Sequence, residues 1–138
     1  MAQLVVPFRD GWTYQHQVNI LLPRTATFQP NIVLLKERRP ETWTTIDVAW
    51  AERRLILLER LPRFELEQSA VVEYLCCPAA RLTYTWRDTA LLRQTMLLWL
   101  SERDVYTATF TDLAIQFEDN LPSFEQWLGE IGLEGTPS

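Results

Sequence analysis

Two apolar patterns meet between Gln17 and Lys36, and the rest of the chain must be arranged around them. Gln17-Val-Asn-Ile-Leu-Leu-Pro23 alternates with a period of two and predicts a strand. Val18, Ile20 and Leu22 share one face of it; Gln17, Asn19 and Leu21 share the other. Asn31-Ile-Val-Leu-Leu-Lys36 predicts a second strand that is apolar on both faces, with Ile32 and Leu34 opposite Val33 and Leu35. A strand with one apolar face can leave the other in water, whereas one with two needs both covered. Either the chain's own helices cover the second face, or another molecule does.

The remaining pattern supplies the helices. Leu4 to Phe8 reads as a short edge strand closed by Arg9-Asp10-Gly11, and Pro23 to Pro30 as a loop between two prolines. Beyond Lys36, Trp43, Ile46, Trp50, Leu57 and Leu61 recur at helical spacing and predict one long helix opening at Pro40-Glu-Thr-Trp43. Leu55, Ile56 and Leu58 widen its stripe toward the C-terminal end. Thr42 is the expected N-cap, Glu41 and Asp47 suit that end of the dipole, and Pro62 is the stop. Arg53 interrupts the stripe. Its ordinary role is a stem lying on apolar surface with its head at the rim, and its functional role would be a guanidinium in a cleft.

After Pro62 the period returns to two. Phe64-Glu-Leu-Glu67 alternates with Val71 to Leu75 as its expected partner, followed by Arg81 to Trp86, Leu91 to Leu100 and Val105 to Thr111. The Leu91–Leu100 strand places Gln94 on one face with Met96, Leu98 and Leu100. Phe124 to Ile131 predicts a short amphipathic helix with Ser123 as N-cap and Gly132 as its end. The order predicts an α+β domain: an antiparallel sheet of about six strands, one long helix after the second or third strand, and a short C-terminal helix. One domain over 1–132 and a short tail over 133–138 account for the length.

Charge and composition narrow the function. A net charge of −5 argues against a nucleic-acid binder, which needs a basic footprint. Beyond Arg103 the only charged residues are acidic, from Asp104 to Glu134, an end that reads first as a solvated face and second as a docking surface. Met1 to Asp10 has no basic start and is broken by Pro7, and no apolar run is long enough to span a bilayer, so neither export nor membrane insertion is expected. The only cysteines, Cys76 and Cys77, make no disulfide framework and fit a reducing cytoplasm. His16 is the only histidine, with no zinc-ligand spacing around it. Glu65 and Glu67 read as water-facing rather than as an acid/base pair, and the four glycines form no phosphate loop. The expectation is no enzyme and no cofactor.

Several stretches in order carry a resemblance: Trp12 before Gln17-Val-Asn-Ile20 and Pro23, Asn31-Ile-Val-Leu34 with Lys36, and Leu61-Pro-Arg-Phe64 with Leu66. Leu82-Thr-Tyr-Thr-Trp-Arg87, Arg93-Gln94 and the Thr-rich Thr107 to Thr111 continue it. The chain resembles the DcrB/PsbP-like family, and within it the Eag chaperones of type VI secretion effectors. That resemblance implies a cytoplasmic homodimer whose concave sheets shield the N-terminal transmembrane segments of an effector of PAAR or Rhs type. It places client contacts on Val18, Ile20, Leu22, Asn31, Val33 and Leu35, and on Gln94. Arg53 stands where the family carries a second Gln on the long helix, and Leu35 where a small polar residue is common. A wall of Val, Ile and Leu would cover such a segment at ~25 cal/mol per Å², and Gln94 or Asn31 could satisfy its buried polar groups. The bland alternative is that these are ordinary core residues. Two readings of other classes stand beside the chaperone: a scaffold of the same fold that recognises a folded protein, and a thiol enzyme pairing His16 with Cys76 or Cys77.

Overall fold

The two-faced strand lies inside the sheet, which carries a different helix on each face. The computed structural model describes residues 4–5, 13–15, 19–21 and 29–133. In order they form β1 (Leu4–Val5), β2 (Thr13–Gln15), β3 (Asn19–Leu21), β4 (Asn31–Arg38), α1 (Ile46–Arg60), β5 (Glu65–Tyr74), β6 (Cys77–Arg87), β7 (Leu91–Leu100), β8 (Asp104–Leu113), α2 (Phe117–Glu130) and β9 (Gly132–Leu133). β1 pairs with β9; the others form one antiparallel sheet in the order β2-β3-β4-β8-β7-β6-β5. The α+β architecture matches the expectation. The sheet has seven strands rather than about six, its five long ones being β4 to β8, and the long helix follows the fourth strand of the chain. β1 falls within the edge strand expected over Leu4 to Phe8, whereas β2, at three residues, is too short for alternation to register.

Ile32 and Leu34 are buried in a cluster with Phe110, Phe117, Phe124, Trp127 and Leu128, so α2 covers that face. α1 covers the other. Trp43, Ile46 and Ala49 rest on Ala80, Leu98, Leu100 and Val105, and Trp50, Leu57 and Leu61 on Leu82, Tyr84 and Met96.

Both helices start elsewhere than the sequence predicts. α1 begins at Ile46 with Thr45 as N-cap, its Oγ1 accepting from the Val48 N–H at 3.3 Å. Thr42 and Trp43 are held outside the helix by Arg39, which donates to the carbonyls of Trp43 (2.7 Å), Ser101 (2.9 Å) and Thr44 (3.0 Å). α2 begins at Phe117, not at Phe124, and carries Pro122 inside it. At 14 residues it is nearly as long as α1, not short. Burial decides this: Phe117, tilted, and Phe124, stacked, both pack on Phe110 with centroids 5.4 Å apart, a gain that outweighs the local disruption at Pro122. Leu133, expected in the tail, is hydrogen-bonded to β1, while 134–138 lie outside the described residues.

The segments 64–67 and 71–75 are one strand rather than two partners. β5 runs through a bulge between Leu66 and Gln68 and pairs with β6, which begins at Cys77. The β5–β6 connection is the two-residue turn Leu75-Cys76, with φ of 51° and 62°. Such turns favour Asn-Gly because only these tolerate positive φ cheaply. Cys76 is exposed, so Cys76→Gly removes backbone strain at little cost in contacts. It should raise unfolding free energy by about 0.5–1 kcal/mol, read as a higher urea midpoint at unchanged slope.

Candidate functional site: a trough between the long helix and the fourth strand

Because α1 lies over β6 and β7, the same face of β4 and β8 is left partly open. The opening is a groove of about 480 Å³. Val33 and Asn31 form one side, Thr109, Thr111, Gln94 and Met96 the floor. Leu57 of α1 and Leu61 at its C-cap close the far side with Tyr84, Trp86 and Leu92. Cross-strand register makes this floor: Asn31 opposes Thr111, Val33 opposes Thr109, and those threonines oppose Gln94 and Met96.

Continuing along β4 toward Arg38, the groove gives way to a cleft of about 240 Å³ lined by Glu37, Arg38, Trp43, Arg53, Ile56, Arg60 and Val105. Arg53 lies over the Trp43 ring with its guanidinium carbon 5.6 Å from the centroid, and its Nη2 is 3.8 Å from a Glu37 carboxylate oxygen. Groove and cleft have no lining residue in common but lie along the same two elements, β4 and α1; the pair is termed the trough, apolar at the Asn31 end and basic at the Arg53 end.

Its polar atoms are unusual. Among the described residues, five buried side-chain nitrogen or oxygen atoms lack a hydrogen-bond partner. Four belong to this face: Asn31 Oδ1, Trp86 Nε1, Arg53 Nε and Thr107 Oγ1, with Thr107 between Val105 and Thr109 on β8. Native structures leave few such groups unpaired, because each forfeits solvation without replacement. Gln94 is partly satisfied, its Nε2 donating to Thr111 Oγ1 at 2.6 Å. Burial pushes the Tyr84 phenol far above its ordinary range, opposed only in part by the nearby Arg53 charge, so the groove presents a neutral hydroxyl there.

Three of the predicted contact residues, Asn31, Val33 and Gln94, meet in the groove. Leu35 is half-buried opposite Thr107, outside the groove lining. Arg53 lies in the cleft with Trp43 and Glu37, not beside Gln94. Val18 and Leu22 fall outside the described residues. Ile20 is paired with Ile32 across the β3–β4 ladder, while Asn19 and Leu21 pair with Val33 and Asn31. The groove residues that sequence reading missed, Leu57, Leu61, Tyr84, Trp86, Leu92 and Met96, sit in stretches recognised as helix stripe or strand but not connected to β4. The Tyr84–Trp86 alternation was their only available signal.

The thiol chemistry gains no support. Cys77 packs against the α2-side core with its Sγ 3.5 Å from the Leu75 carbonyl, and burial pushes its thiol up, away from thiolate. Cys76 is exposed at the hairpin tip, and His16 is outside the described residues. Among the described residues no three His, Cys, Asp or Glu side chains gather to hold a metal, and no helix is long and apolar enough to cross a membrane.

No protein-family model matches the chain, and no curated protein matches it in sequence. Solved structures do. The protein of unknown function PA94 from Pseudomonas aeruginosa matches at TM-score 0.70 and 18% identity, over 99% of both chains. LpqN, involved in cell envelope biogenesis of Mycobacterium tuberculosis, matches at 0.72 and 15%, over 99% of this chain and 85% of its own. Cyanobacterial PsbP (CyanoP) from Synechocystis sp. PCC 6803 matches at 0.59 and 10%, over 96% and 92%. The fold is PsbP-like. At these identities the likeness extends to the fold alone, so what the PsbP-like domain does must be argued from its trough.

Proposed function

We propose that this PsbP-like domain is a non-catalytic binding protein that shields an apolar helical segment of another protein in the trough. Following the family resemblance of the sequence, the client is the N-terminal hydrophobic segment of a type VI secretion effector of PAAR or Rhs type, held in the cytoplasm by a homodimer. The observation that carries this reading is the coincidence of apolar walls with unpartnered polar atoms. Val33, Leu57, Leu61, Leu92 and Met96 would cover apolar side chains, while Asn31 Oδ1 and Trp86 Nε1 lie buried beside them without hydrogen-bond partners. A membrane-destined helix supplies both complements, apolar side chains and occasional polar groups that must be paired when buried. One trough covers one side of a helix, and a second protomer would cover the other; light scattering should give twice the 16.2 kDa monomer mass.

A scaffold recognising a folded protein is the second reading, favoured by Leu55 and Leu58, which stand 65% and 58% exposed on α1. A synthetic Leu/Ala helical peptide, titrated while Trp fluorescence is followed, separates the two. The chaperone reading expects saturable binding that is unchanged between low and physiological salt, because apolar contacts are not screened. Absence of binding favours the scaffold.

A further inference from the structure

Three arginines, Arg38, Arg53 and Arg60, line the cleft at one end of the trough against a single acidic residue, Glu37. In a chain of net charge −5 this is a local reversal of sign. Arg39, next in sequence, is fully occupied by three backbone carbonyls, so its role is structural. Arg53 is different. Its Nε is buried without a partner, its contact with Glu37 is long at 3.8 Å, and its guanidinium carbon lies over the Trp43 ring, 5.6 Å from the centroid. A guanidinium placed against an aromatic face and short of hydrogen bonds fits a planar, two-oxygen acceptor, for which arginine is better suited than lysine.

We infer that the basic end of the trough is a carboxylate-binding subsite, and that the segment it receives is an apolar helix bearing an acidic residue at one end. This rests on the trough being the client site. From Asn31 to Glu37 the trough follows β4 for about 20 Å at ~3.3 Å per strand residue. That length accommodates roughly 13 residues of helix. The acid belongs at the helix N-terminus, where the segment's own macrodipole favours a negative charge. The client therefore enters with its N-terminal end over Trp43 and its apolar turns over Val33 and Met96. Glu37 is the carboxylate that the client displaces from Arg53.

The test uses two Leu/Ala helical peptides identical except for Asp-Asp or Asn-Asn at the N-terminal end, each with a neutral polyethylene glycol tail at the other. The wild-type protein should bind the Asp peptide about tenfold more tightly, the size expected for a charge-assisted bidentate contact, and added salt should erode only that difference. Arg53→Met should abolish the preference. Glu37→Gln, at an exposed position, should enlarge it by removing the competing carboxylate, and it decides the matter even if Arg53→Met fails to fold. Equal binding of both peptides by the wild type overturns the carboxylate subsite and leaves the apolar trough standing. Binding of neither peptide overturns both.

Discussion

Val33→Asp is expected to give a folded protein that no longer holds an apolar segment, whereas Leu34→Asp is expected not to fold. The residues are neighbours on β4, and the strand turns them to opposite faces. Leu34 is 5% exposed, in the cluster that joins the sheet to Phe124 and Trp127 of α2. A carboxylate there has no partner, and its cost of at least about 4 kcal/mol is comparable to the whole stability of a small domain. Val33 is half-buried beside the groove, opposite Thr109. An Asp there keeps its charge hydrated while the trough is open, and loses only strand preference, about 1 kcal/mol. The cost returns when an apolar helix covers the site and strips the water away, so capture should fail. Circular dichroism melts of both variants, with the peptide titration for Val33→Asp, check this. Should Val33→Asp unfold as readily as Leu34→Asp, the face is closed core and the trough does not admit a client.

Asp112→Ala should destabilise the protein by about 3 kcal/mol, although the residue touches no part of the trough. Asp112 is fully buried on β8 and accepts three hydrogen bonds, from the Leu113 N–H at 2.8 Å, Gln116 Nε2 at 2.5 Å and Asn120 Nδ2 at 2.7 Å. α2 has no side-chain cap of its own at Gln116, so this carboxylate ties its first turn to the sheet. Its neighbour across the ladder, Arg93, adds a second tie by lying over the Phe117 ring at 5.6 Å and pairing with Glu67. Alanine leaves the Gln116 and Asn120 amides facing a void. Asparagine should recover only part of the loss, because its own N–H₂ would point at a donor where Asp presents an acceptor. Urea unfolding gives the free energies. A change below about 0.5 kcal/mol, the range of an ordinary surface substitution, would mean that the aromatic face alone anchors α2.

The sequence by itself determined the local alternations. The period-two runs of β6, β7 and β8 and the helical stripe of α1 were legible because burial imposes a face on each residue through its own backbone geometry. The two-sided apolar character of Asn31 to Lys36 required two covers; α2 provides one, and the Val33 face stays partly open beside α1. Which helix covers which face was not legible, since that depends on where the connections cross the sheet. α2 takes the Ile32 side through Phe117, Phe124 and Trp127, and the long helix takes the other.

Register was equally hidden. Alternation assigns Ile20 and Val33 each to a face of its own strand, but only long-range hydrogen bonds decide which faces coincide, and β3 pairs Ile20 with Ile32. The start of α2 at Phe117, across Pro122, was likewise set by aromatic burial against Phe110 rather than by propensity. The trough is the furthest from the sequence. Its walls come from β4, α1, β6, β7 and β8, and Asn31 and Gln94 meet Leu57 and Tyr84 only because antiparallel pairing and one helix laid over part of a face bring them together. Periodicity records what a residue's own element does with it, and a site assembled from five elements depends on contacts that no local pattern contains.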